Sequence, residues 1–277
     1  MAALAIEIIA HRGYSARAPE NTLAALRRAL EVGADALEFD LHVTADGVPV
    51  LLHDEMLERT TNGLGPVALV ELKELRQLDA GTWFGGAFAR ERVPTLAEAL
   101  ALAAGTDASR TTPHAVAPEE PPAPGRRCAH VYPEIKGYRT SGDVARMARE
   151  VHEAGWADAC SFISMDWDAL EAVRAASGAL AVGYIAETAE RFGPALERAA
   201  AAIEADGDPR RALVDCDYRL LLRPPGRVAA ARERAVDLVV WTVDDPEDAR
   251  RLVELGVTRL TTNEVERVRA AVAGPGR

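Results

Sequence analysis

The stretches Ile8-Ile9-Ala10-His11-Arg12-Gly13, Pro19-Glu20-Asn21-Thr22, Ala36-Leu37-Glu38-Phe39-Asp40-Leu41-His42-Val43 and Leu51-Leu52-His53-Asp54 decide how this chain is read. Two apolar runs of strand length flank a helical pattern. In that pattern Leu23, Leu26 and Leu30 share a face, Asn21 or Thr22 supplies the N-cap and Gly33 the stop. Glu38 and Asp40 nevertheless stand inside the second apolar run, and His11, Arg12 and His53 stand at run ends. Ionisable groups inside a strand are expensive unless they are paired or bind a metal. Ala45-Asp46-Gly47 is a tight turn, which folds Val48 to His53 back as a hairpin partner.

Outward from this opening, residues 55 to 93 break the alternation with loop chemistry, Thr60-Thr61-Asn62-Gly63 and Gly81 to Gly86, around a short helix from about Val70 to Leu78. They read as a small insertion after the second barrel strand. A helix from Pro94-Thr95 to Leu102 follows. A Pro-rich stretch of about 105 to 128 then buries little and is expected to be mobile, a surface loop or alternatively a lid. From His130 the alternation is regular, with strands predicted at Val131 to Ile135, Ala159 to Ile163, Ala181 to Tyr184, Ala212 to Asp215, Asp237 to Thr242 and Arg259 to Thr262. Gly33, Gly155 and Gly256 each end a helix just before a strand, where glycine supplies a left-handed cap. With Leu4 to His11 and Ala36 to Val43 this makes eight strands, each followed by a helix or helix-bearing loop. The expected fold is an α/β (β/α)8 TIM barrel spanning residues 1 to 277 as one domain. A doubly wound open sheet is the alternative, but the chain lacks the Gly-rich dinucleotide turn after its first strand.

The formal charge of −11 argues against a nucleic-acid partner, because phosphate backbones are held by Lys and Arg. Cys128, Cys160 and Cys216 are too few and too scattered for a disulfide framework or a zinc site, and read as free thiols of a reducing compartment. Ala2 to Ala10 lacks the basic flank and cleavage site of a signal peptide, and no run reaches membrane-spanning length. A cytoplasmic protein without a transmembrane segment is expected. Oligomeric state is not legible.

In a barrel the active site lies at the C-terminal strand ends. His11 and Arg12, Glu38 and Asp40, His53, and Glu134 and Lys136 all fall there. Glu38 and Asp40, two apart in a strand, share a face and repel one another unless a cation intervenes. With Glu134 they make an all-oxygen set suited to one divalent cation, Mg²⁺ or Ca²⁺, rather than zinc. The alternative is that these carboxylates form buried ion pairs with Arg12 and Lys136. His11 and His53 beside such a set suggest a general acid/base pair, since imidazole titrates near neutral pH. Arg12 and Lys136 then read as phosphate clamps. His42 shares the parity of Glu38 and Asp40 and reads as a supporting or rim residue. Of the aromatic residues near strand ends, Phe162 and Trp241 are expected to line the pocket, and Trp83 and Tyr184 to pack.

These residues resemble the glycerophosphodiester phosphodiesterase family. The likeness runs from His11-Arg12-Gly13 and Pro19-Glu20-Asn21-Thr22 through Gly33-Ala34-Asp35, Glu38, Asp40, Thr44, Asp46-Gly47, Pro49-Val50 and His53-Asp54. It continues in Thr61-Asn62-Gly63, Leu78-Asp79-Ala80-Gly81, Trp83-Phe84, Pro94-Thr95-Leu96, Glu134-Ile135-Lys136, Ser161-Phe162 and Trp241-Thr242-Val243. The resemblance implies a TIM barrel with a small insertion after strand two. It also implies metal ligation by Glu38, Asp40 and Glu134, acid/base roles for His11 and His53, phosphate contact by Arg12 and Lys136, and a place for Asn21 in the site wall. The implied activity is hydrolysis of small glycerophosphodiesters to sn-glycerol 3-phosphate and an alcohol, through a cyclic phosphate. A lysophospholipase D-like enzyme for longer lipids would use the same residues, and a non-catalytic binding barrel is the alternative of a different class. Thr261-Thr262-Asn263 departs from the family's usual Thr-Asp, followed shortly by Pro, at the end of the last strand, and leaves that edge of the pocket open.

Overall fold

The computed structural model describes residues 5–106, 128–223 and 226–273. Eight parallel strands close into a barrel: β1 (Glu7–Ala10), β2 (Ala36–Val43), β4 (His130–Ile135), β5 (Ser161–Ser164), β6 (Ala181–Ala186), β7 (Ala212–Asp217), β8 (Asp237–Trp241) and β9 (Arg259–Thr262), with β1 paired to both β2 and β9. β3 (Pro49–Leu51) is the antiparallel hairpin partner of β2, with Leu41 opposite Leu51.

Helices between the strands form the outer layer. α1 (Leu23–Glu31) starts on Thr22, whose hydroxyl accepts from the Ala25 N–H, and buries Ala25, Leu26, Ala29 and Leu30. α2 (Leu72–Leu75) is a single turn in the insertion, shorter than the sequence suggests because few of its side chains reach a core. α3 (Leu96–Ala103) opens with a capping box of Thr95 and Glu98. α4 (Ser141–Glu153), α5 (Trp167–Ala176) and α6 (Ala189–Asp206) follow β4, β5 and β6. α7 (Arg219–Leu222) is a short turn that the sequence pattern does not announce, and α8 (Gly226–Glu233), α9 (Pro246–Leu255) and α10 (Val265–Val272) complete the ring. Gly33, Gly155 and Gly256 do adopt positive φ, at 91°, 77° and 93°.

The strand pleat sorts side chains into two cores. Outward-facing residues such as Ile8, Leu37, Phe39, Phe162 and Val240 pack under the helices. Inward-facing Ile9, Ala36, Tyr132, Ile163, Ile185, Leu213 and Val239 fill the barrel and close it below the strand tips. The insertion has its own small cluster of Val50, Leu52, Leu57, Val67, Leu75, Ala80 and Val93, which seats it on the hairpin. Each fully buried Val or Leu side chain among them contributes about 1.5–3 kcal/mol. The Pro-rich stretch, expected as a mobile surface loop or lid, lies almost wholly outside the described residues. Among the described residues no helix is long and apolar enough to cross a membrane.

Candidate active site

Glu38 and Asp40 point inward from β2, and the parallel register sets Asp40 beside Glu134 of β4. One carboxylate oxygen from each of Glu38, Asp40 and Glu134 lies within 4.8 Å of the others. Arg12 Nε stands 3.1 Å from Asp40 Oδ2, and Lys136 Nζ stands 2.8 Å from Glu134 Oε1 and 3.6 Å from Asp40 Oδ1. The ion pairs that the alternative reading expects are therefore present. They do not satisfy the cluster, however, because Glu38 Oε1 and Asp40 Oδ1 are buried without a hydrogen-bond partner. Burial, Asp40 and Glu134 push Glu38 well above the usual carboxylate range, and burial with Asp40 pushes Glu134 up to about 7. Burial would raise Asp40 too, but Arg12 and Lys136 hold it below its ordinary value. Three crowded carboxylates with orphaned oxygens fit a hard divalent cation.

The two histidines have different surroundings. Asp244 can only accept hydrogen bonds, and Asn263 donates to it from its backbone N–H and from Nδ2, at 2.8 Å each. The Asn263 Oδ1 is thereby turned toward Ser15 Oγ at 2.7 Å and His11 Nδ1 at 2.8 Å. His11 Nδ1 must then carry the proton, and Nε2, 4.0 Å from Glu38, is left as an acceptor. Burial and the adjacent Arg12 push the His11 pKa down to about 4. His53, by contrast, is about one-third exposed, and its Nδ1 donates to Asp54 Oδ1 at 2.6 Å. Arg59 grips Asp54 and also reaches Glu20, which in turn holds Arg12 at 2.9 Å. Arg59 and His53 together hold the Asp54 carboxyl well below its usual range. His42 Nε2 donates to the His53 carbonyl at 3.2 Å. Its ring occupies the space beside Gly137, where a Cβ would stand 2.5 Å from Nδ1, so a side chain at that position would displace the His42 ring.

These groups surround one cavity of about 270 Å³ at the C-terminal strand ends, lined among others by His11, Arg12, Glu38, His53, Glu134, Lys136 and Trp241. Asp40 lies just behind the wall, fully buried. Asn21 is also placed one layer back rather than in the wall: its Nδ2 donates to Asp40 Oδ2 at 2.8 Å and its Oδ1 accepts from the Asp40 N–H at 3.1 Å. Left-handed backbone at Arg12 and Asn21, φ 55° and 56°, turns both side chains onto Asp40. The expectation that Phe162 lines the pocket is corrected. It faces outward into the helix-covered core, and its neighbour Ile163 has the inward parity and lines the cavity. Sequence reading overlooks Asp54, Arg59, Asp244 and Asn263 as supports, and Asp215 in the cavity wall. Asp215 carried the signal that marked Glu38 and Asp40, a carboxylate inside an apolar strand.

Comparison with known proteins gives a consistent picture. The profile of the glycerophosphoryl diester phosphodiesterase family matches residues 11–267. A glycerophosphodiester phosphodiesterase of Caldanaerobacter subterraneus subsp. tengcongensis is 32% identical over 263 residues, which cover 94% of each chain. Among solved structures, a glycerophosphodiester phosphodiesterase from Agrobacterium tumefaciens is 26% identical with a TM-score of 0.75, covering 96% of this chain and 99% of that one. An Oleispira antarctica phosphodiesterase in complex with the product sn-glycerol-3-phosphate is 25% identical with a TM-score of 0.74, covering 97% of each chain.

Proposed function

The chain belongs to the glycerophosphoryl diester phosphodiesterase family and is therefore a phosphodiester hydrolase, and from that premise we propose how its residues divide the work. The substrate is a small glycerophosphodiester, and the products are sn-glycerol 3-phosphate and an alcohol. The observation that carries this reading is the cavity in which three crowded carboxylates, two cationic side chains and two differently held imidazoles converge. The product bound in the Oleispira phosphodiesterase supports the identity of the phosphate product.

One divalent cation, Mg²⁺ or Ca²⁺, held by Glu38, Asp40 and Glu134 would supply Lewis-acid polarisation of substrate oxygens. Arg12 and Lys136 bind the nonbridging phosphate oxygens and offset charge that develops on them. His11, neutral and with Nε2 free, accepts the proton of the glycerol 2-hydroxyl as that oxygen attacks phosphorus. His53 protonates the departing alcohol. Its Nδ1 is held by the Asp54 carboxylate, which fixes the ring, and its position near solvent suits a group that must regain a proton. The roles then reverse as water opens the cyclic phosphate. Asn21 keeps Asp40 in place, Trp241 walls the substrate, and Phe162 braces β5 from outside.

We read the domain as a single catalytic unit across residues 1 to 277. A cytoplasmic location is supported by three buried free thiols, Cys128, Cys160 and Cys216. A panel of glycerophosphodiesters assayed with and without chelator, following glycerol 3-phosphate release, tests the function. Activity abolished by chelator and restored by Mg²⁺ or Ca²⁺ is expected, and His11→Ala and His53→Ala should each lower kcat by about 10²-fold or more. Turnover that survives chelation, or both variants at wild-type rate, would overturn the assignment.

A further inference from the structure

Two polar atoms that line the cavity, on Asp215 and Trp241, are left unpaired by the chemistry above. Asp215, on β7, is 2% exposed, lines the cavity, and leaves its Oδ1 without a hydrogen-bond partner. Trp241, on the neighbouring strand β8, lines the same cavity, and its buried Nε1 is likewise without a partner. The register sets Asp215 opposite Val239 and Trp241 opposite Asp217, so the carboxyl sits one pleat below the indole on the inward side. Such groups are seldom left unpaired in a native protein, and a ligand, an ion or an ordered water is what pairs them.

The shape of the cavity says which part of a substrate reaches them. Ile185 and Val239 flank Asp215 at its own level, and below it the barrel is filled by Leu213 and Ile9. Toward solvent the walls are Met165, 38% exposed, and the exposed Glu187. The alcohol half varies between substrates and must leave first, which suits the mouth, where His53 stands. The glycerol half is common to all substrates and suits the closed floor. Asp215 also lies within electrostatic range of Glu134 and Lys136, the groups assigned to cation and phosphate. A hydroxyl can accept from an indole N–H and donate to a carboxyl at once. An ammonium group would face the indole donor with donors of its own and leave it unpaired.

We propose that Asp215, together with the Trp241 indole N–H, receives the free terminal hydroxyl of the substrate's glycerol arm, and so selects deacylated glycerophosphodiesters over those with a fatty acyl chain at that position. The proposal rests on the functional reading above and refines it. An acyl ester offers Asp215 no hydrogen to accept, and the closed floor has no room for the chain.

The test compares glycerophosphocholine, its analogue with a terminal methyl in place of the hydroxymethyl group, and a lysophosphatidylcholine acylated on that hydroxyl. Wild-type kcat/KM is expected to fall by about tenfold or more when the hydroxyl is removed, because a site built to bond a hydroxyl rejects its absence. Asp215→Leu should lose that much on glycerophosphocholine and nothing further on the analogue, while the isosteric Asp215→Asn keeps part of the discrimination. An equal loss on the analogue in wild type and Asp215→Leu, or lysophosphatidylcholine turned over as fast as glycerophosphocholine, overturns the proposal. Should the variants not fold, competition in the wild-type enzyme decides. sn-Glycerol 3-phosphate must inhibit more strongly than the same phosphate lacking the terminal hydroxyl, and equal inhibition overturns the proposal. A wild-type enzyme inactive on every glycerophosphodiester would instead remove the functional reading beneath it.

Discussion

His11 and His53 show how neighbours give one residue type two different environments. His11 is buried beside Arg12, with its Nδ1 bonded to an amide oxygen, and such an imidazole stays neutral far into acid. His53 is bonded instead to a carboxylate that Arg59 also grips, and it stands near solvent. Because His11 is pulled down to about 4 from the ordinary 6.5, it loses its capacity to accept a proton only as pH falls toward that lower value. The acid limb of the kcat/KM profile is accordingly expected well below 6.5. Asn263→Ala, which removes the partner of Nδ1, should lower kcat by about tenfold with KM little changed. An acid limb at 6.5 or above would show that the proton acceptor is not this buried histidine. The Asn263 position, the departure that leaves one pocket edge open at the level of sequence, is in the structure the group that sets the His11 tautomer. The interaction spans 252 positions of the chain, and no local pattern carries it.

At the scale of elements, a buried ion pair adds to the apolar cluster that fastens the insertion to the barrel. Glu98, in the first turn of α3, closes the capping box with the Thr95 N–H and hydroxyl and also pairs with Arg76, which follows α2 in the insertion. Both side chains are almost fully buried. Glu98→Gln retains a cap acceptor but leaves the Arg76 guanidinium unpaired, and should lower unfolding stability by about 3 kcal/mol. Chemical denaturation would show this as a lower midpoint, and an unchanged midpoint would mean that Arg76 finds another partner or solvent. The capping signal Thr95 to Glu98 is local and readable. That the same carboxylate holds the insertion is not, because Arg76 precedes it by a loop whose path depends on Val67, Leu75 and Val93 finding a common core.

For the whole molecule, the barrel gathers charges from β1, β2, β4 and the hairpin at one end, and the electrostatic cost falls on the carboxylates. Glu134 has a folded value of about 7, above its ordinary 4.5. The folded carboxyl thus keeps its proton longer than the unfolded one, and its contribution to stability is lost as pH rises from about 4.5 through about 7. A divalent cation held by these carboxylates would remove that penalty. The rise in Tm on adding Mg²⁺ or Ca²⁺ to chelator-treated protein should therefore grow between pH 5 and pH 8, and Glu134→Gln should abolish most of the growth. A pH-independent rise would place the cation elsewhere. The same geometry separates what the chain states locally from what it does not. Strand and helix periods, glycine stops, and the two-residue spacing that sets Glu38 and Asp40 on one face are properties of neighbouring residues, so the sequence alone determined the barrel and the Glu38, Asp40, His11, Arg12 and His53 core of the candidate site. Which face of β5 looks inward, and hence Ile163 rather than Phe162 in the cavity, depends on how that strand sits between its neighbours. The placement of Asn21 behind Asp40, the Asp244–Asn263–His11 chain and the orphaned Asp215 depend likewise on barrel closure. Only tertiary structure decided these, because closing the barrel converts separations of tens to hundreds of residues into hydrogen-bond distances.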